Sequence, residues 1–375
     1  MQTNYELKKH NTTKIFRALQ EKTQVSRKEL SKITGLSWGS VSAITGELLA
    51  KGIIVAEKEA SAGGRPAETL SLNPTLFLQL GIDINSVGLT FVIVNMQGKA
   101  VYSETLPLQS HAKDDVLKLL FAQTEKMLSS VKNVVGISLS MQGKIHRKTG
   151  VSIRSNFSDW KNVPLVELFE KKFSLPTVLY HDPDCLLYYH LLNDGRLRGK
   201  KDGYVIRLDN GIGMARLLHG KLYNAGEVAS YEFGQIIAVP DGRVCAYGKQ
   251  GCLEAYASIR GMREIYTEQG GNGEEFIQKL QENDLLANEI LQKGTTHLGI
   301  AIANLFTLSV SEFILLDGVL LTLAPSCFAE IEKKAQEHAV EPLHLLCANY
   351  KKEAPAIGAC LITLENNTEK ILFDL

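Results

Sequence analysis

Two acids, two thiols and a dense run of glycine share one short stretch of this chain, from Tyr231 to Glu254. Glu232 and Glu254 stand near its ends, and Cys245 and Cys252 stand inside it with six residues between them. Carboxylates that converge on a cleft each accept more than one hydrogen bond, which suits ligands rich in hydroxyl groups. Two thiols at this spacing can supply half of a tetrahedral metal site, which needs four ligands, or can remain as reduced thiols packed in a loop. Taken singly, each acid reads more readily as a turn or solvated helix residue than as a ligand contact. Glycine every few residues suits a tightly folded loop.

Such side chains need a scaffold, and 375 residues suffice for two or three domains with substantial cores. Hydrophobic content of 45% and charged content of 22% are those of an ordinary globular protein. Six scattered cysteines and no secretory opening segment point to a reducing, cytoplasmic setting. No apolar run reaches the roughly 20 residues that span a bilayer, so no membrane insertion is expected. The most apolar stretch, Leu298 to Leu323, is interrupted by Asn304, Ser309, Ser311, Glu312 and Asp317. The net charge of zero hides an asymmetry: residues 1–70 carry eight Lys and three Arg against seven Glu, leaving a basic N-terminal segment on an acidic body.

That segment reads as three helices and a hairpin. Asn11 to Gln20 places Ile15, Phe16 and Leu19 on one side. Ser26 and Glu29 have the spacing of a capping box, opening a second helix that carries Leu30 and Ile33 inward and stops at Gly35. Ser37 can cap a third, with Val41, Ile44, Leu48 and Leu49 at helical spacing. Two helices joined by a short Gly-containing turn describe a helix-turn-helix. Strand-like Gly52–Val55 and Thr69–Leu72 flank a tip at Gly63, Gly64, Arg65 and Pro66, which makes it a winged one. A generic three-helix bundle for protein contacts is the alternative.

The body alternates strands and helices. Leu78–Ile84, Leu89–Val94, Lys99–Thr105 and Asn133–Leu139 read as strands around a helix at Asp114–Val131, and Gly203–Leu208, Gly213–Leu218 and Phe313–Leu316 form a second set. Two α/β lobes, each opening on hairpin strands, suggest a duplicated ribonuclease-H-like fold; a single mixed α/β domain fits the same pattern.

The ordered set of motifs resembles the ROK family of repressors and sugar kinases over almost the whole chain. Residues 11–73 resemble its winged helix at Ser26–Leu30, Thr34–Ser37, Val41–Ser42 and Gly63–Pro66; Gly81–Asp83, Asn156–Leu165, His181–Asp182, Gly211–Gly213, Glu232–Gly234, Cys245…Cys252-Leu253-Glu254 and Ala354–Ala359 follow. The resemblance implies a winged helix-turn-helix in residues 1–73, a first lobe in 74–193 with 358–375 returning to it, and a second, effector and dimerisation lobe in 194–357. It implies that Ser26, Arg27, Ser37, Trp38, Ser40 and Ser42 face DNA and that Arg65 reaches a groove or phosphate. Trp38-Gly39 departs from the basic or small helix-forming pair of many relatives, and Gly costs about 1 kcal/mol inside a helix.

The same resemblance argues against catalysis. Family kinases cradle ATP with Asp-x-Gly-Gly-Thr, Gly-Thr-Gly and a further glycine-rich loop, whose backbone amides must approach phosphate closely. The counterparts here are Asp83–Val87, Asp209-Asn210-Gly211 and Asp317-Gly318-Val319. Asp182 matches the general base, but a base without a phosphoryl donor transfers nothing. Asn156, Asp182, Glu232 and Glu254 match sugar-contacting positions, with Gln235 where relatives carry His. The family's zinc ligands reduce to Cys245 and Cys252, since Gln235 and Tyr247 occupy the other two positions; no metal and no cofactor are expected. The implied protein is a DNA-binding transcriptional regulator of carbohydrate genes, a repressor that is a homodimer or a tetramer built from it, responding to a small sugar in the cleft. Control by a protein partner instead of a sugar, and an active sugar kinase, are the alternatives.

Overall fold

Local signals set the N-terminal helices. In this computed structural model, which describes residues 4–22, 24–59, 67–155, 157–223 and 231–373, α1 (Asn4–Glu21) is followed by α2 (Arg27–Thr34) and α3 (Trp38–Ala50). The Ser26 side chain accepts from the Glu29 amide while Glu29 reaches back to the Ser26 amide, and Gly35 ends α2 at φ 71°. Ser37 caps α3 by accepting from the Ser40 amide. Two expectations are corrected. α1 starts at Asn4, not Asn11, because contacts to distant residues hold its polar first turns: Lys8 pairs with Glu47 at 2.8 Å and Lys9 lies over the Phe373 ring. Ile33 is 49% exposed, so Leu30 is the inward residue of the short α2.

The hairpin β1 (Ile54–Glu59) and β2 (Ala67–Leu72) is antiparallel, with Ile54 opposite Leu72, and Val25 bonds to Leu70 along the other edge. The wing tip at Gly63, Gly64, Arg65 and Pro66 lies outside the described residues, as does Asn156. Ile15, Phe16, Leu19, Leu30, Val41, Leu48, Ile53 and Leu70 close the core of this module.

The body follows in order: β3 (Leu78–Ile84), β4 (Gly88–Asn95), β5 (Ala100–Pro107), α4 (Lys113–Ser130), β6 (Val134–Met141), β7 (Lys144–His146), β8 (Val151–Arg154), β9 (Lys161–Val163), α5 (Leu165–Phe173), β10 (Thr177–His181) and α6 (Asp182–Asn193). Then come β11 (Gly203–Leu208), β12 (Ile212–Leu218), β13 (Lys221–Leu222), α7 (Glu254–Ala257), α8 (Ile259–Glu268), α9 (Phe276–Gln281), α10 (Leu285–Leu308), β14 (Phe313–Asp317), α11 (Val319–Leu323), α12 (Cys327–His338), β15 (Leu345–Cys347) and α13 (Ala354–Phe373). No helix among the described residues is long and apolar enough to cross a membrane.

The chain divides into two compact units, one of Met1–Leu139, Val166–Val178 and Ala359–Leu375, the other of Ser140–Leu165 and Leu179–Gly358. In the first, strands order β10-β6-β3-β4-β5, and β3 and β4 are buried along their whole length. The C-terminal helix α13 packs on this sheet, where the Cys360 thiol points to the Gln79 carbonyl and the Thr363 and Ser138 hydroxyls share a hydrogen bond of 2.7 Å. It also braces the DNA-binding module: Arg17 donates to Glu365 at 2.5 Å, Lys51 donates to the Leu372 carbonyl at 3.1 Å, and Lys9 pairs with Glu369. In the second unit, strands order β13-β12-β11-β14-β15, with an antiparallel β11–β12 hairpin and parallel β11–β14 and β14–β15 pairs. Its largest core gathers Ile206, Leu208, Phe233, Leu253, Ile302 and Leu316, and fixes the loops that carry the site.

Candidate functional site

A polar cleft in the second unit draws its walls from five segments. Gln142 and Gly143 come from the end of β6, His181 and Asp182 from the β10–α6 junction, and Arg207 to Gly213 from the β11–β12 hairpin; Tyr231 and Glu232 precede a short turn, and Tyr247 and Glu254 close the loop that follows. Pro183 opens α6 with its backbone already in helical geometry, and Asp182 and Asp184 sit in the first turn, where a carboxylate suits the helix dipole. Gly143, at φ 90°, is required, since a Cβ there would collide with the Arg154 carbonyl.

Electrostatically the cleft is acidic with one buried cation at its base. Arg207 donates to Asp182 at 2.8 Å and to Asp209 at 2.7 Å, and its side chain is only 9% exposed. Burial holds the Asp182 carboxyl above its usual range, offset in part by Arg207. Asp184 is raised for the same reason and is paired with Arg147. Burial also raises Glu254, against the pull of Arg260 at 3.2 Å. His181 is held in its neutral form by burial. Tyr247 is pushed up to about 12, chiefly by burial and then by Glu232 and Glu254, so its hydroxyl keeps its proton.

The cleft therefore gathers Asp182, Glu232 and Glu254 as expected from the sequence. Gln235 is not on its wall: its amide turns to Glu232 at 2.7 Å, where it orients that carboxylate. Arg207, Gln142 and Tyr247 are wall residues that sequence reasoning missed. Arg207 had a signal, an arginine inside the apolar run Tyr204–Leu208, which burial would force into an ion pair.

Each loop that would hold nucleotide phosphate is occupied by the chain itself. Asn85 Oδ1 accepts from the Val87 amide at 2.9 Å and the Gly88 amide at 3.1 Å, and Asn85 Nδ2 donates to the buried Asp83. Asp209 Oδ1 accepts from the Val319 amide at 2.6 Å, and Asp317 meets His190 at 2.5 Å. The Val87, Gly88 and Val319 amides of these loops are thus taken by the chain's own side chains, and Asp83, Asp209 and Asp317 put carboxylates in them.

The donor set does not fit a structural zinc. Cys245 and Cys252 are buried free thiols packed with Ala255, Tyr247 and Tyr256. Burial and the neighbouring Cys245 push the Cys252 thiol up to about 11. His219 is 85% exposed and lies by Asp202. The loop keeps its shape by backbone bonds: Ala238 N to Gly251 O at 2.8 Å, Cys245 N to Lys249 O at 2.8 Å, Gly251 N to Arg243 O at 2.8 Å and Leu253 N to Ile236 O at 2.9 Å. Gly251, at φ 77°, must be glycine, because a Cβ would overlap the Val239 carbonyl.

The other candidate surface is the face of α3. Trp38 is 58% exposed, and Gly39, Ser42, Ala43, Gly46 and Glu47 are exposed beside it. Ser37 and Ser40 are half engaged in the cap, and Ser26 belongs to the capping box. Arg27 is committed to the fold, pairing with Glu68 and donating to Thr45 at 3.0 Å, so it ties α2 to α3 and β2.

A family profile described as "Winged helix-turn-helix DNA-binding" matches residues 9–55, and one described as "ROK family" matches residues 79–366. The chain is similar to the xylose repressor of Bacillus spizizenii, 23% identical over 372 residues and 96% of each protein. It superposes on the crystal structure of a ROK family transcriptional regulator, a homologue of the Escherichia coli MLC protein, with a TM-score of 0.79, 23% identity and 98% coverage of each chain. A ROK family glucokinase from Streptomyces griseus, solved with glucose and AMPPNP, matches 76% of this chain and 98% of its own with a TM-score of 0.67 and 20% identity, which shows the fold of the body alone. With well over half of its length matched by the family profile, the chain belongs to the ROK family and carries a winged helix-turn-helix at its N-terminal end.

Proposed function

We propose that this protein is a transcriptional repressor of carbohydrate-utilisation genes that binds an operator through α3 and senses a small sugar in the Asp182–Glu232–Glu254 cleft. One observation carries the reading: the ligand-facing carboxylates are retained while the chain's own Asn85, Asp209 and Asp317 fill the nucleotide loops. A kinase-like body in this state can hold a polyol but has no place for a phosphoryl donor, so it signals by binding instead of by chemistry. The repressor character of the B. spizizenii relative supports the direction of regulation. The protein acts as a homodimer in the cytoplasm, since two recognition helices must reach half-sites about one helical turn apart.

The test is a gel shift on DNA flanking the gene and its neighbouring operon, with and without D-xylose, D-glucose or N-acetylglucosamine. A retarded complex that one sugar dissolves is the expected result. Failure to retard any such fragment refutes the DNA-binding reading, and a complex indifferent to all sugars refutes the sensing reading. An isotope-transfer assay with labelled ATP and the same sugars is expected to give no sugar phosphate above background.

A further inference from the structure

Tyr247 stands where the family pattern has a zinc-binding cysteine, yet the loop does not carry it away from the cleft. Its ring is half-buried on the cleft wall, in company with Gln142, Glu232 and Glu254. The Arg154 guanidinium lies over the ring at 4.7 Å from its centre, and the same group donates to the Ala246 carbonyl at 2.9 Å. One side chain thus grips both the backbone before Tyr247 and the ring itself, a restraint that a metal is not needed to provide. Arg154 ends β8 and pairs in register with Lys144, directly after the Gln142–Gly143 turn, so one small sheet sets both Arg154 and Gln142.

The hydrogen-bond inventory of the wall is uneven. Glu232 and Glu254 are acceptors, whereas the Gln142 side-chain amide is a buried donor with no partner among the described residues. The Tyr247 hydroxyl makes no hydrogen bond to the described residues and keeps its proton through the neutral range. A ligand oxygen accepting from the Gln142 amide would relieve the cost of burying it unpaired. With Arg154 on one face, Tyr247 offers the cavity its remaining surface and its hydroxyl. The complementary ligand is a ring polyol: its hydroxyls donate to the carboxylates, its oxygens accept from Tyr247 and Gln142, and its C–H surface packs on the aromatic ring.

We propose that Tyr247 is a specificity-determining effector contact in this protein and that Arg154 is its positioning residue. The inference rests on the sugar-sensing reading and adds to it the residue that distinguishes one ring polyol from another.

The test is titration calorimetry of the full chain with D-xylose, D-glucose and N-acetylglucosamine, repeated for Tyr247→Phe, Tyr247→Ala, Arg154→Met and Arg154→Lys. For the tightest sugar, Tyr247→Phe, which keeps the ring and hence the packing, is expected to weaken binding about three- to tenfold, the loss of one neutral hydrogen bond. Tyr247→Ala is expected to weaken it more than about tenfold and to change the order of preference among the three sugars. Arg154→Met is expected to shift the fluorine NMR resonance of a fluorotyrosine placed at position 247 in the ligand-free protein and to weaken binding, with Arg154→Lys recovering part of both. Sugar binding by the wild type with unchanged affinity in both Tyr247 variants overturns the proposal and leaves sugar sensing standing. Silence of the wild type towards all three sugars overturns both. An unshifted resonance in Arg154→Met removes Arg154 from the role.

Discussion

Replacing Arg207 by Met tests the electrostatics of the cleft most directly. The guanidinium is shared by Asp182 and Asp209 at 2.8 and 2.7 Å, and the Asp182 side chain is only 8% exposed. Met fills much of the same volume but leaves a buried carboxylate without its cation, a change that costs about 3–5 kcal/mol. The cost depends on pH. Burial already raises Asp182, Asp184 and Glu254 in the folded protein, so at these three sites the folded state binds more protons than the unfolded one. Their contribution to stability is therefore fully present on the acid side and falls as pH rises from the unfolded carboxyl range through the folded one. Without Arg207 the Asp182 carboxyl rises further, and each tenfold gain in its proton affinity is worth about 1.4 kcal/mol, so the fall becomes larger and extends to higher pH. The deficit of Arg207→Met against wild type should thus be near its full size where Asp182 is ionised and shrink as the pH is lowered and Asp182 takes up a proton. Urea titration followed by tryptophan fluorescence reads it selectively. Of the two tryptophans, Trp160 is 3% exposed within the second unit, whereas Trp38 is already 58% exposed and changes little on unfolding. A deficit below about 1 kcal/mol at neutral pH, or one of equal size in acid, would refute the reasoning.

Trp38→Ala should weaken operator binding by about 1–3 kcal/mol while leaving thermal unfolding unchanged, measured by fluorescence anisotropy on a duplex selected from a random library; replacing thymine by uracil in that duplex should weaken wild type more than the variant if the indole reads a thymine methyl. Exhaustive dialysis against EDTA should leave the unfolding midpoint where it was, because the Cys245–Cys252 loop is held by backbone bonds and the Arg154 grip; a lowered midpoint restored by zinc would contradict that. Glu365→Lys places a cation beside Arg17 and should lower the protection of α1 amides in hydrogen exchange while leaving that of β11 unchanged.

The parts of this protein that were legible in its sequence are those written in adjacent residues. Ser26 and Glu29, Gly35 and Ser37 fix helix ends within a few positions, and β3 and β11 fall on their apolar runs residue for residue. The acids of the cleft could be placed because motif order carries them there. What could not be read is held across long separations. Asp209 reaches Val319 over 110 residues and His190 reaches Asp317 over 127, so the filling of the nucleotide loops is invisible to local pattern. Tyr247 read as the loss of a ligand, since nothing in Ala246-Tyr247-Gly248 says which way the ring turns; Arg154, ninety-odd residues earlier, decides it. The family resemblance put Arg27 at the DNA, but Glu68 on β2, forty-one residues later, pairs with it instead.

The brace from α13 to α1 also has a meaning in the order of synthesis. Arg17 and Glu365 are 348 residues apart, and Lys51 and Leu372 are 321 apart. At elongation speeds of about 5–20 residues per second, the winged helix is made roughly 15–60 s before the helix that supports it is complete. A nascent chain stalled anywhere in the body presents a DNA-binding module lacking Glu365, Glu369 and the Phe373 ring. A helix made long after the first module is thus the one that completes it, and a fragment that ends before α13 competes for operators without that support.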